Sequence, residues 1–164
     1  MFSVEIKTLA ALLIDEARER SLRIATAESC TGGLVAAALV GIPGSSDVFE
    51  RGFVTYSNRA KSEVLEVPGD LIADVGAVSE PVVRMMAEGA LANSSTHLAV
   101  AVTGVAGPGG GTALKPVGLV HFATARVNGS IRHRVEHFKD MDRDQVRLAS
   151  VETALEMLRE RIAS

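Results

Sequence analysis

The order of elements along this chain predicts an α/β fold: a three-layer α/β/α sandwich around a mixed, mostly parallel sheet. Three observations carry that expectation. Segments with apolar residues at helical spacing alternate with short apolar runs. Leu98 to Thr103 is nearly all apolar, as expected of a strand buried on both faces. Polar loops follow three predicted strands, after Thr26, after Tyr56 and after Thr103, which is where open α/β sheets bind ligands.

Each element has its own justification. Ile6, Leu9, Leu13 and Ala17 recur at helical spacing and predict a helix over Val4 to Arg20. Leu22 to Thr26 reads as a short strand, and Gly33 to Val40 as an alanine-rich helix suited to close packing. Gly41 to Ser46 carries turn chemistry. Gly52 to Tyr56 is a strand, Arg59 to Leu65 a short helix, and Val67-Pro68-Gly69-Asp70 a break. Ser79-Glu80-Pro81 predicts a helix start with a capping hydroxyl and an early proline, the helix running to about Ala92. Val117 to Arg126 and Ser130 to Phe138 are strands joined by the hairpin signal Asn128-Gly129. Asp142 to Ile162 is a last helix, its apolar stripe formed by Leu148, Val151, Leu155, Leu158 and Ile162. Asp142 with Gln145 resembles a capping box.

Composition bounds the function. The chain has 164 residues, enough for one good core, and no repeat or linker interrupts it, so a single domain over 1–164 is expected. Apolar residues make up 47% and aromatics only 4%, which predicts a core of small, closely packed side chains. A net charge of −3 gives no reason to expect a nucleic-acid partner. The single cysteine excludes an internal disulfide and a cysteine-rich zinc site. With no signal-like start and no membrane-length apolar stretch, a cytoplasmic protein with no membrane partner is the expectation.

Chemistry concentrates in Thr26-Ala27-Glu28-Ser29-Cys30-Thr31-Gly32-Gly33, between a strand and a helix. Backbone N–H groups at a helix start attract anions, and the two glycines let a ligand approach the main chain. The plainer reading is a capped helix start. Ser29 and Cys30 are the candidate nucleophiles. A serine hydroxyl attacks poorly until a base takes its proton. His97, His121, His133 and His137 are badly placed for that and read as structural or solvated. His133 and His137 share a strand face but lack a third ligand, so no metal is expected. Lys61, about one helical turn past Ser57, offers another base. A desolvated lysine loses its proton near neutral pH, and serine–lysine pairs are an established design. From spacing alone, however, Lys61 reads as an ordinary surface lysine. Tyr56, the only tyrosine, reads as a strand residue able to hydrogen-bond a serine. The loop Gly104-Val105-Ala106-Gly107-Pro108-Gly109-Gly110-Gly111 is neither a P-loop nor a dinucleotide fingerprint. It reads equally as an anion cradle and as a plain turn. Lys115 beyond it reads as solvated.

Several segments together resemble the CinA C-terminal domain family: Ala27 to Gly33, Pro43-Gly44-Ser45-Ser46, Gly52 to Asn58, Gly76-Ala77-Val78-Ser79-Glu80, Val102 to Gly110 and Lys115-Pro116-Val117-Gly118. They occur in the family's order and cover nearly the whole chain. The resemblance implies an amidohydrolase that converts nicotinamide mononucleotide to nicotinate mononucleotide and ammonia, recycling pyridine nucleotides without a cofactor. It also implies the stand-alone form, since longer relatives carry an additional N-terminal domain. It implies Ser29 as nucleophile, Lys61 as general base and Tyr56 as an assisting or orienting group, with Thr103 and Arg143 as further site residues. In one departure, the loop reads Gly107-Pro108-Gly109-Gly110 where some members have an acidic residue after the proline.

On that basis the amides near Cys30, Thr31 or Gly104 are expected to stabilise an oxyanion. Thr31, Gly32 and Gly33, with Ser45, Ser46 or the loop residues Gly104 and Gly107, are expected to hold ribose and phosphate, and Arg143 to pair with the phosphate. Cys30 stays the rival nucleophile. Two other classes are weighed against the amidase: a non-catalytic nucleotide-binding module, and a regulatory module linked to competence or DNA damage. The apolar helix faces predict a homo-oligomer, with a symmetric dimer favoured.

Overall fold

The computed structural model describes residues 1–164. Its elements are α1 (Val4–Glu19), β1 (Ile24–Glu28), α2 (Leu34–Val40), a 3-10 turn (Ser45–Asp47), β2 (Phe49–Val54), α3 (Asn58–Leu65), α4 (Gly69–Val75), α5 (Glu80–Ala92), β3 (Leu98–Gly104), β4 (Leu119–Arg126), β5 (Arg132–His137) and α6 (Arg143–Ala163). The five strands lie in the order β2-β1-β3-β4-β5. β2, β1 and β3 pair in parallel, β4 runs antiparallel to β3, and β5 antiparallel to β4. Four of the five strands therefore point the same way, and the sheet is the mixed sandwich layer that the sequence predicts.

Two cores flank the sheet. Leu98, Val100 and Val102 of β3 face one side, with Ile24, Val120 and Phe122, and pack against α1, α2 and α6. The alternate residues face α3, α4 and α5. On that second side the middle of the central strands presents methyl groups: Ala25 and Ala27, Ala99 and Ala101, Ala123 and Ala125. α5 settles closely onto them. It also meets α3 closely at Gly89, where an added Cβ would stand 2.0 Å from the Leu65 carbonyl oxygen.

Local chemistry sets the ends of the elements. The Ser3 hydroxyl accepts from the Ile6 amide at the start of α1. Ser57 does the same for Ala60 in α3. Asp142 and Gln145 form the full capping box of α6, with bonds of 2.8 and 2.9 Å. Three expectations need correction. The stretch read as a break holds helix α4, with Pro68 as N-cap and Gly69 as first residue, because a proline there loses no helical bond. Ser79 does not cap α5: its hydroxyl donates to the Gly76 carbonyl, 2.8 Å away. Strands β1 and β2 are displaced along the chain from Leu22–Thr26 and Gly52–Tyr56 by about two residues, within the usual slack of boundaries read from sequence. No helix is long and apolar enough to cross a membrane.

Candidate active site

Ser29 follows the last residue of β1, and its amide continues the ladder by donating to Val102 of β3. The chain then turns sharply: Gly32 donates back to the Ser29 carbonyl, and Gly32 and Gly33 take φ of 58° and 99°. Few side chains tolerate that conformation, so the turn needs its glycines. Glu28, wholly buried, accepts from the amides of Val35 and Ala36 at 2.8 and 3.0 Å. Its carboxylate thus occupies the start of α2. The expectation that those amides await an external anion is corrected, since the protein supplies its own.

Lys61 projects from the inner face of α3, and Leu65 lies one turn further on. It is only 1% exposed. Its Nζ lies 2.9 Å from the Ser29 Oγ, and it donates to the Thr55 carbonyl at 2.9 Å. No carboxylate comes within ion-pair distance. Burial holds this amine below the ordinary lysine range, against a smaller opposing influence of Cys30. Nζ donates both to the Ser29 Oγ and to the Thr55 carbonyl, and desolvation weakens its hold on its third proton. Cys30 is the opposite case. Its thiol sits in the core between the sheet and α6, and burial pushes its pKa up to about 11. It is a protonated thiol at neutral pH and a poor nucleophile.

These groups open onto a cleft of about 330 Å³ lined by Ser29, Cys30, Lys61, Tyr56, Thr103 and Arg143, with Asn58, Ala77, Val78 and residues of the loop 104–110. Thr103 donates to the Ala77 carbonyl (3.1 Å) and so anchors one wall. Lys115, expected to be solvated, is the second anchor: its Nζ donates to the Val75 carbonyl at 2.5 Å. Arg143, the first residue of α6, donates to the Gly107 carbonyl (2.7 Å) and to the Tyr56 hydroxyl (3.2 Å). It has no carboxylate partner. Tyr56 therefore bonds to Arg143, not to Ser29 or Lys61. Along the loop, the amides of Ala106, Gly107, Gly109, Gly110 and Gly111 donate to no protein acceptor, and neither do those of Cys30 and Thr31.

Of the residues expected to contact a substrate, the structure brings Ser29, Lys61, Tyr56, Thr103, Gly104, Gly107 and Arg143 to one cleft. Thr31, Gly32, Gly33, Ser45 and Ser46 do not line it. Thr31 is fully buried behind the turn, Gly32 and Gly33 serve the turn itself, and of the 3-10 turn residues Ser45 is buried and Ser46 exposed. Sequence reasoning missed Asn58 and Arg147. Arg147 donates from Nε to the Cys30 carbonyl (3.0 Å) and from Nη2 to the Thr31 carbonyl (3.2 Å). The one available signal was its position one turn after Arg143 on the same helix. The histidines stand apart from the cleft lining. His121 Nδ1 and His133 Nε2 are 2.9 Å apart, and His133 Nδ1 lies 3.0 Å from Glu80, tying the start of α5 to β4 and β5.

Comparison with known proteins places this architecture. The CinA C-terminal domain matches residues 6–162, and the chain belongs to that family. A CinA-like protein of Synechococcus sp. (strain RCC307) is 47% identical over 158 residues, which is 96% of this chain and 38% of that protein. A CinA-like protein of Syntrophus aciditrophicus is 46% identical, over all of this chain and 39% of its own length. The chain thus spans about two fifths of these curated relatives. Among solved structures, the competence/damage inducible protein CihA of Agrobacterium tumefaciens superposes with a TM-score of 0.97 at 49% identity, covering 100% of this chain and 99% of that one. A CinA superfamily protein of Klebsiella pneumoniae gives 0.91 at 35% identity, covering 96% and 98%.

Proposed function

We propose, from membership of the CinA C-terminal domain family, that this chain is an amidohydrolase releasing ammonia from nicotinamide mononucleotide, with Ser29 as nucleophile and Lys61 as base. The observation that carries the reading is the 2.9 Å approach of Ser29 Oγ to a buried lysine amine that has no counter-ion. Burial keeps that amine free to accept a proton, and its helix keeps it within reach of the serine.

The steps follow from these groups. Lys61 Nζ takes the Ser29 proton as Oγ attacks the carboxamide carbon. The carbonyl oxygen becomes negative beside the turn amides, where losing one such donor typically costs about 3 kcal/mol of transition-state stabilisation. The lysine proton passes to the departing nitrogen, which leaves as ammonia, and an ester on Ser29 remains. A water molecule attacks that ester and gives its proton to Lys61. The acid leaves, and the proton returns to Ser29. The phosphate is held by Arg143 and the free amides of the glycine-rich loop, a planar cation and a set of unhindered donors suited to a dianion.

Purified protein incubated with nicotinamide mononucleotide should release ammonia, and mass spectrometry should identify the acid as the product. Ser29→Ala should abolish both. Arg143→Ala should raise KM far more than it lowers kcat. Full turnover in Ser29→Ala, or no ammonia from the parent protein, sinks the proposal.

A further inference from the structure

The turn that carries Ser29 is gripped from two sides. From the β1 side, the Glu28 carboxylate ties it to α2 through Val35 and Ala36. From the α6 side, the Arg147 guanidinium holds the two carbonyls that follow the nucleophile, those of Cys30 and Thr31. Arg147 has no carboxylate partner within ion-pair distance, so these two carbonyls are its side chain's polar partners. Gly32 makes room for it: a Cβ there would stand 3.3 Å from Arg147 Nη2.

A planar trans peptide points its N–H opposite to its C=O. The Thr31 carbonyl that Arg147 holds shares its peptide with the Gly32 N–H, which donates to the Ser29 carbonyl (3.1 Å), and the Ser29 carbonyl in turn shares its peptide with the Cys30 N–H. The grip of Arg147 therefore reaches the Cys30 amide through Gly32, while its hold on the Cys30 carbonyl fixes the Thr31 amide directly. The Cys30 thiol lies in the core on the α6 side, whereas Cys30 also lines the cleft next to Ser29. Its amide has no acceptor in the protein. Charge on the guanidinium also polarises the turn's peptides and strengthens their N–H groups as donors.

We infer that Arg147 is a positioning residue for the reaction at Ser29. By clamping the Cys30 and Thr31 carbonyls, it holds the Cys30 amide where the oxygen of a Ser29 adduct turns negative. The inference rests on the proposed role of Ser29, and its test separates the two.

The test has two readouts. The first is ammonia release from nicotinamide mononucleotide. The second is the rate at which phenylmethanesulfonyl fluoride modifies Ser29, read by intact mass; there the Ser29 oxygen bonds to sulfur, fluoride leaves, and the hydroxyl proton passes to Lys61. Arg147→Ala should lower kcat by about 100-fold, the cost typical of a displaced catalytic group, with KM little changed. Sulfonylation should slow in parallel. Added guanidinium ion at millimolar concentration should restore part of both rates in Arg147→Ala and none in Lys61→Met, which a purely structural role does not predict. Should Arg147→Ala fail to fold, Arg147→Lys, which keeps the charge and loses the two-pronged grip, should show the same split between kcat and KM. A parent that is sulfonylated yet releases no ammonia refutes the substrate and leaves the clamp under test by the second readout. Equal sulfonylation rates in parent and variant overturn the inference, as does a parent whose Ser29 resists the reagent.

Discussion

Gly89→Ala tests how tightly the chemistry depends on packing far from the cleft. A methyl group at position 89 would stand 2.0 Å from the Leu65 carbonyl oxygen and 2.8 Å from its carbon. A relaxed carbon–oxygen contact needs about 3.3 Å, so α3 and α5 must part by about 1.3 Å. The obstacle is backbone and cannot rotate aside. Alanine in a helix gains about 1 kcal/mol over glycine, whereas overpacking costs about 1–3 kcal/mol. A modest net loss of stability follows, lowering Tm by a few degrees. The larger effect falls on activity. Leu65 lies one turn from Lys61 on the same helix, so the displacement is transmitted to an amine that must sit 2.9 Å from Ser29. Misplacement on the scale of 1 Å costs about 100-fold in rate. Thermal melting and steady-state ammonia release measure the two consequences separately. A variant that melts like the parent and retains its kcat refutes the reasoning.

Three further outcomes follow. Because burial depresses the Lys61 pKa, kcat/KM should rise with pH through a midpoint below the ordinary lysine value near 10.4; an ascending limb at that ordinary value would contradict a buried base. Cys30, with a pKa near 11, should react slowly with iodoacetamide at pH 8, and Cys30→Ala should keep most of the turnover; abolished turnover in a folded Cys30→Ala would transfer the nucleophile role to the thiol. His121 and His133 are both held below the usual imidazole value, chiefly by burial, so the unfolded chain binds their protons more readily than the native one. Their contribution to stability is complete above about pH 6.5 and is lost as pH falls below it. Replacing both with Gln should flatten the pH dependence of Tm between pH 7 and 5, and an unchanged slope counts against the pair.

Much of the frame was legible because local signals and tertiary demands agree. The apolar run of β3, the stripe on α6 and its capping box all read directly from residue spacing. α4 escaped because Pro68-Gly69 looks like punctuation, and a helix may begin with such residues as readily as end before them. The site was legible unevenly. The nucleophile turn announces itself by composition, but the fate of each side chain within it depends on what lies opposite in space. Glu28 looked available for chemistry and is taken up by two amides of α2. Thr31 looked like a ligand group and is walled in. Nothing in the spacing of Lys61 distinguishes it from a solvated lysine; only its inward position on α3 makes it buried and, in the proposed mechanism, suited to act as a base. Lys115 is the same lesson in reverse, read as exposed and found bracing the wall at Val75.

α6 contributes two arginines to this region, one across the mouth of the cleft and one behind the nucleophile turn. It is also made after every strand. A growing chain therefore already carries its serine and its amine while the two guanidiniums that reach them are still unsynthesised. Under the proposed mechanism, organisation of the site waits on α6, which also supplies much of the core on that face of the sheet, so the arginines and the packing behind the serine turn arrive together.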